Sequence, residues 1–410
     1  FIAEIFTPAL VYLIAPGFST DPLKFDLAVN LTRLTFPFLF FVSLSSFFSG
    51  ILNSKNKFAA AAAAPIILNI ILILSLFVSY FFNLNFEFNL SFAVSIAGFI
   101  QLIFLVFVTK FYYKPTINFK INLNPRVKFF FKKLLPSIFS SGVTQINILI
   151  GTIIASFESG AVSYLYYADR VYQINLAIAG IAIGTVALPV LSNKIKSGDQ
   201  FEINNIQNKS LELSLLLSIP AAFGLLIASI EIVNALFGYG SFKEGDILLT
   251  AKALYFFGLG IPAFSLVKIL SNFFFARDNT KTPFYISVIT VAVNVLISLS
   301  FFNSYGFVII PIATSISAWF AVLMYFILLI KLKYFQFSLD FLKNCLKILI
   351  STLVMSVLLN FFLNIFEDKL IYSNNFKSIY LIMIVVVSAG AYLFIAKILG
   401  VFKIKNFKIN

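Results

Sequence analysis

Long apolar runs alternate with short polar or basic segments along the whole chain. A run of about 20 apolar residues is long enough to cross a bilayer as a helix. The runs that meet this length, of which the first is partial, lie at residues 1–15, 27–52, 59–82, 89–109, 133–157, 160–191, 210–236, 249–275, 284–302, 306–330, 341–366 and 378–399. The pattern predicts an all-α polytopic membrane protein.

The stretch Gly160–Ser192 is unusual because Asp169 and Arg170 interrupt its apolar sequence. No charge follows between Val171 and Leu191. An arginine at this depth is costly unless it faces a partner or a wet cavity. Neighbouring residues on a helix point about 100° apart, so Asp169 and Arg170 cannot simply neutralise each other. Arg170 is therefore predicted either to line a substrate cavity or to form an ion pair with a carboxylate on another helix, for which Glu4, Glu212 and Glu231 are the candidates.

Composition removes several classes of function. The chain of 410 residues is 60% hydrophobic, with no histidine and a single cysteine, Cys345. These counts exclude zinc clusters, Cys/His nucleophile pairs and an intrachain disulfide, and no phosphate-binding loop of the G-x-x-x-x-G-K-[ST] type is present. No cofactor or metal is expected, and the protein is not predicted to be an enzyme. The class of function that remains is a carrier, either passive or coupled to ions or to the membrane potential.

The formal net charge of +14 sets orientation and does not indicate nucleic-acid binding. Alternate loops carry 22 and 5 of the Lys and Arg residues, which is the asymmetry of the positive-inside rule. The basic set, which includes the C-terminus, is therefore predicted to be cytoplasmic. Arg33, close to a span end, is expected to reach the external interface.

An internal repeat relates two segments at an offset of 225 residues, Phe36–Ile70 and Ile261–Val295. Within these segments the matched pairs are Pro37 and Pro262, Ser46 and Ser271, Phe48 and Phe273, and Asn69 and Asn294. The preceding loop also matches, at Asp21 and Asp246, Leu23 and Leu248, and Ala28 and Ala253. The segments are six helices apart and so share one orientation, as in transporters built from parallel repeats with the substrate between the halves. The repeat predicts two further helices before Phe1, and an appended pair at 341–366 and 378–399.

The repeat and the basic segment after residue 110 divide the chain. We predict an incomplete N-terminal lobe at 1–110, a basic linker lying on anionic lipid at 111–132, a C-terminal lobe at 133–335, and the two additional helices with a basic tail at 336–410.

Further polar side chains within the predicted spans are candidates for the cavity. Gln145 and Asn147 could line it, or could hydrogen-bond between helices. Lys268 lies too far inside its span to reach an interface easily, and is the second candidate cation after Arg170. Asn69 and Asn294 occupy matching repeat positions and are expected to share a packing role. Because the planar guanidinium binds phosphate or carboxylate through paired donors, these cations indicate a carrier of an amphipathic anion.

Several motifs resemble those of the bacterial lipid II flippases, the MurJ (MviN) family of the multidrug/oligosaccharidyl-lipid/polysaccharide (MOP) exporter superfamily. They occur in the same order from the first residues to the last helix. The motifs are Ala15–Phe18, Thr35–Phe38, Gly50–Asn53, Tyr166–Arg170, Gly184–Thr185 with Leu188–Pro189, Phe237–Phe242 and Ala276–Pro283.

The resemblance implies two six-helix lobes plus two extra helices, with the first two helices of the first lobe outside this chain. It implies a monomer of the bacterial inner membrane that moves undecaprenyl-pyrophosphate-linked disaccharide pentapeptide to the outer leaflet by alternating access. Arg170 matches the family's cavity arginine, with Asp169, Gln145 and Lys268 as further expected substrate contacts. The last two helices match those that form a groove for the lipid tail.

Some family members bind sodium between the seventh, eleventh and twelfth helices through acidic side chains. The corresponding spans here, 133–157, 284–302 and 306–330, contain no Asp or Glu, which argues against such a site. Two alternatives stay open: another MOP exporter, for an O-antigen-type lipid or for drugs, and a membrane scaffold without transport. Cavity cations are the wrong sign for a cationic drug, and an internal repeat is not expected of a scaffold.

Overall fold

The computed structural model describes residues 2–113 and 125–401, without side-chain detail at 126, 130–141 and 144. These residues fold as helices and contain no strand. The predicted basic linker falls largely outside them. The helices are α1 Ile2–Ile5, α2 Thr7–Ile14, α3 Pro22–Thr35, α4 Pro37–Ser54, α5 Phe58–Phe81, α6 Phe86–Lys110, α7 Pro125–Ala155, α8 Ala161–Leu176, α9 Ile183–Ser197, α10 Gln200–Phe237, α11 Glu244–Phe275, α12 Lys281–Tyr305, α13 Ile309–Lys331, α14 Leu339–Ile365 and α15 Lys377–Ile398.

Nine helical stretches within the described residues are long and apolar enough to cross a membrane. One of them, Lys281–Lys331, holds both α12 and α13, which a short 3₁₀ turn at Gly306–Val308 joins. Another, Pro22–Ser54, holds α3 and α4, which meet at Phe36 just before Pro37. The expectation of an all-helical polytopic membrane protein is confirmed.

Side-chain caps fix where several of these helices begin. Asn85, Asp199 and Ser338 each accept a hydrogen bond from the backbone N–H three residues ahead, at the starts of α6, α10 and α14. Such a cap satisfies one of the N–H groups that a first turn leaves without an intrahelical partner. The turn between α9 and α10 uses Gly198 at φ +77°, a conformation in which a side chain would be strained.

The chain forms two compact units, Phe1–Pro136 and Ser137–Asn410. In the first unit, α6 packs against α4 and α5 around the buried side chains Leu52, Ala64 and Leu105. The absence of a side chain at Gly98 lets α4 approach, because a Cβ there would lie 2.7 Å from the Phe38 ring.

In the second unit, α11 is the central helix and packs against α8, α10 and α13. Its buried residues contribute to two apolar clusters, one around Leu254 and Ile261 and the other around Leu270 and Phe273. The appended pair α14 and α15 packs on α10, where Ala228, Leu359 and Ile384 meet. The pair is thus fixed to the second unit through α10.

The repeat positions are only partly equivalent in the structure. Pro262 lies inside the continuous α11, whereas Pro37 follows the break between α3 and α4. Asn294 is buried and donates to the Thr314 hydroxyl at 3.1 Å, as expected of a packing residue. Asn69 is exposed among the described residues, so the two asparagines differ in their surroundings there. A sequence match fixes position along a helix, but the neighbouring helices decide which face is covered.

Candidate functional site

The helix that carries Asp169 and Arg170 runs through a local change of helical type. It begins after Gly160, where φ is +76°, and continues as α8 to Leu176. The six residues Ala177–Ala182 are π-helical, and α9 then extends to Ser197. Single π turns inside α-helices occur frequently at functional sites. The predicted uninterrupted apolar stretch is therefore one helix with a wider turn in its middle.

Two glycines dock this wider turn onto α11. A Cβ at Gly180 would lie 3.1 Å from the Cα of Ser265, and one at Gly184 would lie 2.9 Å from the side-chain nitrogen of Asn272. The Asn272 amide donates to the Gly184 carbonyl at 2.9 Å. Small residues four apart allow such close helix packing in membranes. This Gly180–Gly184 spacing was readable in the sequence as a packing signal, but nothing in it indicated which helix would be the partner.

Arg170 is exposed on α8. Its guanidinium carbon lies 4.7 Å from the centroid of the Tyr166 ring, one turn earlier. Within residues 2–113 and 125–401, no carboxylate lies at ion-pair distance from it and no protein acceptor takes its N–H groups. Of the alternative partners, Glu212 instead accepts from the Asn344 amide at 3.0 Å. The structural ion pair is therefore not formed in the part of the chain that the structure describes, and the charged donors are available to a ligand.

Asp169 lies on a different side of the helix and is half-buried. Its carboxylate accepts from the Gln173 amide and also interacts with the Tyr172 hydroxyl. It lines a cavity of about 210 Å³ that Asn147, Thr152 and Thr314 also line. Asp169 and Arg170 thus lie in different surroundings, as their angular separation on a helix predicts.

The other two candidate residues lie apart from this cavity. Gln145 is exposed, whereas Asn147 and Thr152 of the same helix, α7, line the cavity. Lys268 is also exposed, with its Cγ 3.6 Å from the position of a Cβ at Gly180. Gly180 follows Arg170 by ten residues, or about 15 Å of helix, so Lys268 lies well away from Arg170 along the helix axis.

A cluster of neutral polar groups lies between α12 and α13. The Asn294 amide donates to Thr314, and its oxygen accepts from the Ser298 hydroxyl at 3.2 Å. These groups satisfy one another. Among the residues described, no three His, Cys, Asp or Glu side chains come together as a metal site would require.

An apolar cavity of about 350 Å³ opens between α10 and the appended pair α14 and α15. Leu216, Pro220 and Met355 line it, and Asn175 of α8 borders it. The Tyr392 hydroxyl closes one wall by donating to the Leu216 carbonyl at 2.6 Å. The cavity is therefore suited to an alkyl chain.

The family model described as "Lipid II flippase MurJ" matches residues 1–382. The chain belongs to the MurJ family. The resemblance seen in the motifs is confirmed.

Curated members of the MurJ family match along most of the chain. The "Probable lipid II flippase MurJ" of Rickettsia prowazekii is 39% identical over 322 residues, which are 78% of this chain and 63% of the relative. The protein with the same description from Buchnera aphidicola subsp. Acyrthosiphon pisum is 33% identical over 416 residues, which are 99% of this chain and 80% of the relative. The chain thus spans less than two thirds of the first of these relatives.

Solved structures show the same fold. "Lipid II flippase MurJ, inward closed conformation" superposes with a TM-score of 0.80 at 26% identity, over 97% of this chain and 79% of that one. A multidrug resistance MATE family transporter of the MOP superfamily, in an inward-facing conformation, gives a TM-score of 0.68 at 14% identity, over 79% of this chain and 75% of that one. The second match supports the MOP fold alone.

Proposed function

We propose that this protein moves lipid II, the undecaprenyl-pyrophosphate-linked disaccharide pentapeptide, from the cytoplasmic to the outer leaflet by alternating access. The observation that carries this proposal is the exposed Arg170 guanidinium, without a carboxylate partner in the described residues, on a membrane-spanning helix of a MurJ-family chain. A bare cation in an apolar helix is stabilised by an anionic ligand.

In this proposal, different described residues contact different parts of the substrate. The guanidinium fork of Arg170 binds a pyrophosphate oxygen pair more specifically than a point charge would. Asp169, held by Gln173, accepts hydroxyl or amide donors of the head group. Gln145 and Lys268 contact more distant parts of the head group, and the apolar cavity beside α14 and α15 takes the lipid tail.

We further propose that the protein works as a monomer in the bacterial inner membrane with its C-terminus cytoplasmic. The unequal distribution of Lys and Arg between alternate loops supports this orientation. The membrane potential acting on cavity arginines is one candidate driving force, since moving one charge across it is worth about 2.3 kcal/mol per 100 mV.

Translocation of fluorescent lipid II in proteoliposomes tests the proposal. The chain is reconstituted as it stands, and also as a chimera that adds the part of the Buchnera relative outside the match. Lipid II that becomes accessible to a membrane-impermeant reagent in a protein-dependent way supports flipping. If neither protein moves lipid II, while a MurJ-family control under the same conditions does, the proposal is wrong.

A further inference from the structure

A third cavity, of about 460 Å³, lies at the end of the second unit where α10 meets α11. Its lining combines aromatic rings with one carboxylate: Tyr167, Phe237, Tyr239, Phe242 and Asp246. These residues come from two motifs, Tyr166–Arg170 and Phe237–Phe242, and from the first turn of α11. The proposed lipid II contacts use only the charged end of the first motif and none of the second.

Three of these rings, those of Tyr167, Phe237 and Phe242, contact one another. The Tyr167 ring lies 4.8 Å from that of Phe237 and 5.3 Å from that of Phe242, centroid to centroid. The planes of Tyr167 and Phe242 stand at 90°. In this edge-to-face contact the edge of one ring covers one face of the other, and the remaining ring faces can line the cavity. The faces of such rings carry the negative part of the aromatic quadrupole, which attracts cations.

Asp246 supplies a formal negative charge beside these rings. One carboxylate oxygen accepts from the Tyr164 hydroxyl at 2.9 Å, and the other accepts from the Lys243 backbone N–H at 2.8 Å. Each oxygen of a carboxylate can accept a further hydrogen bond. In the described parts of the chain, no Lys or Arg nitrogen lies at ion-pair distance from Asp246, so its charge is not neutralised there.

The fourth ring, that of Tyr239, already contacts an ammonium group of the protein itself, on Lys377. The Lys377 ammonium lies 4.2 Å from the Tyr239 centroid and 4.7 Å from that of Tyr372. It donates to the carbonyls of Gly238 and Tyr372 at 2.6 and 2.7 Å, and is sealed from solvent. Tyr239 is thus committed to Lys377, which leaves Tyr167, Phe237 and Phe242 for a ligand.

We propose that the cavity lined by Tyr167, Phe237, Phe242 and Asp246 binds a primary alkylammonium group. The rings would hold the methylene next to the nitrogen and the charge itself, and Asp246 would accept an N–H. The same chemistry is present in an ethanolamine lipid head group and in the amine of a peptide side chain. The site does not depend on lipid II transport, because a non-transporting protein with this cavity would bind amines equally well.

The test uses n-butylammonium as the probe and the full chain purified in detergent. Saturation-transfer NMR reports contact between protein protons and the probe methylenes, and a titration gives the dissociation constant. Binding should weaken about tenfold in Asp246→Asn and in Tyr167→Leu, which is the order expected for losing one charge partner or one cation–π face. n-Butanol, which matches the probe in size without its charge, should bind weakly to every variant.

Matched controls separate this site from a general effect of charge or aromaticity. Glu244→Gln removes an exposed carboxylate from the same helical turn, and Phe301→Leu removes one ring of an edge-to-face pair with Tyr305 on α12. Both controls should bind the probe as the parent does. Equal binding in Asp246→Asn, Tyr167→Leu and the controls, or no saturable binding to the parent, overturns the proposal. Should Asp246→Asn fail to fold, because Asp246 also caps α11, the Tyr167→Leu comparison decides.

Nanodiscs distinguish the two sources of the amine. If a lipid head group is the natural ligand, discs rich in phosphatidylethanolamine should displace butylammonium, whereas phosphatidylglycerol discs should not. If a peptide amine is the ligand, both discs should leave butylammonium bound, and Nα-acetyl-lysine methylamide should compete in each. Either pattern supports the site, and dependence on Asp246 and Tyr167 must hold in both.

Discussion

The side-chain amide of Asn272 donates a 2.9 Å hydrogen bond to the backbone carbonyl of Gly184. This bond joins α11, the central helix of the second unit, to the start of α9, just beyond the π-helical segment. The helix that carries Arg170 is therefore anchored on one side of its wider turn. Its position depends on the absence of a side chain at Gly184.

We expect Gly184→Leu to destabilise the second unit. A Cβ at residue 184 would lie 2.9 Å from the Asn272 side-chain nitrogen, so the amide must move and its hydrogen bond is lost. Overpacking of this kind costs about 1–3 kcal/mol. Thermal unfolding in detergent should show a lower midpoint. Gly390→Leu is the control, because nothing lies within 4 Å of a Cβ at Gly390. Equal midpoints for the two variants would contradict the close packing.

Asn208→Ala should loosen the connection between α13 and α14. The Asn208 amide donates to the Gln336 carbonyl at 2.9 Å, and its oxygen accepts from the Ser338 N–H at 3.2 Å. Asn208 is buried, so truncation leaves both backbone groups without this partner, at about 1–3 kcal/mol each. Unfolding should begin at lower temperature than in the parent. Asn205→Ala, on an exposed position of the same helix, should change little. Equal unfolding temperatures for Asn208→Ala and Asn205→Ala would show that the two Asn208 hydrogen bonds do not stabilise this connection.

Lys377 should resist amine-reactive reagents in the folded protein. Its side chain is 1% exposed and enclosed by Tyr239 and Tyr372. Brief labelling with an N-hydroxysuccinimide ester, followed by peptide mass spectrometry, should modify the exposed Lys369 far more than Lys377. After unfolding in denaturant, both lysines should react. Rapid native labelling of Lys377 would show that the enclosure is not formed.

Replacing sodium by potassium should leave lipid II transport unchanged. The resemblance raised a sodium site on the helices that correspond to α7, α12 and α13, but Asn294, Ser298 and Thr314 there are neutral and bonded to one another. Hard cations are held mainly by carboxylates and carbonyls. Transport rates in proteoliposomes with equal potential and either cation should agree. A severalfold fall in potassium would require a cation site that these residues do not form.

Much of the fold could be predicted because membrane helices must be long and apolar. The predicted spans 59–82, 210–236 and 378–399 correspond to α5, α10 and α15, although α10 begins earlier, at Gln200, because Asp199 caps it. A polar extension beyond the apolar run carries no hydropathy signal. The sequence thus indicates which residues cross the membrane, but it places the start of the helix too late in the chain.

The site could be predicted less completely, since side chains on one helix acquire their surroundings from other helices. The charge of Arg170 and the lack of a partner on its own helix were visible in the sequence. The cavity beside Asp169 was not, because Asn147, Thr152 and Thr314 come from α7 and α13 and neutral residues give little signal alone. The π-helical segment at Ala177–Ala182, which packs against α11, also had no indication in the sequence.

The most direct test of the account is the rate of lipid II translocation by Arg170 variants of the chimera in proteoliposomes. Arg170→Ala should lower the rate at least about tenfold at unchanged protein level, because a charge-assisted bond to phosphate is worth about 1.5–3 kcal/mol. Arg170→Lys should recover part of it, since the charge remains but the fork is lost. Arg33→Ala, at another exposed arginine, should transport normally. A parental rate in Arg170→Ala would remove this guanidinium from substrate binding.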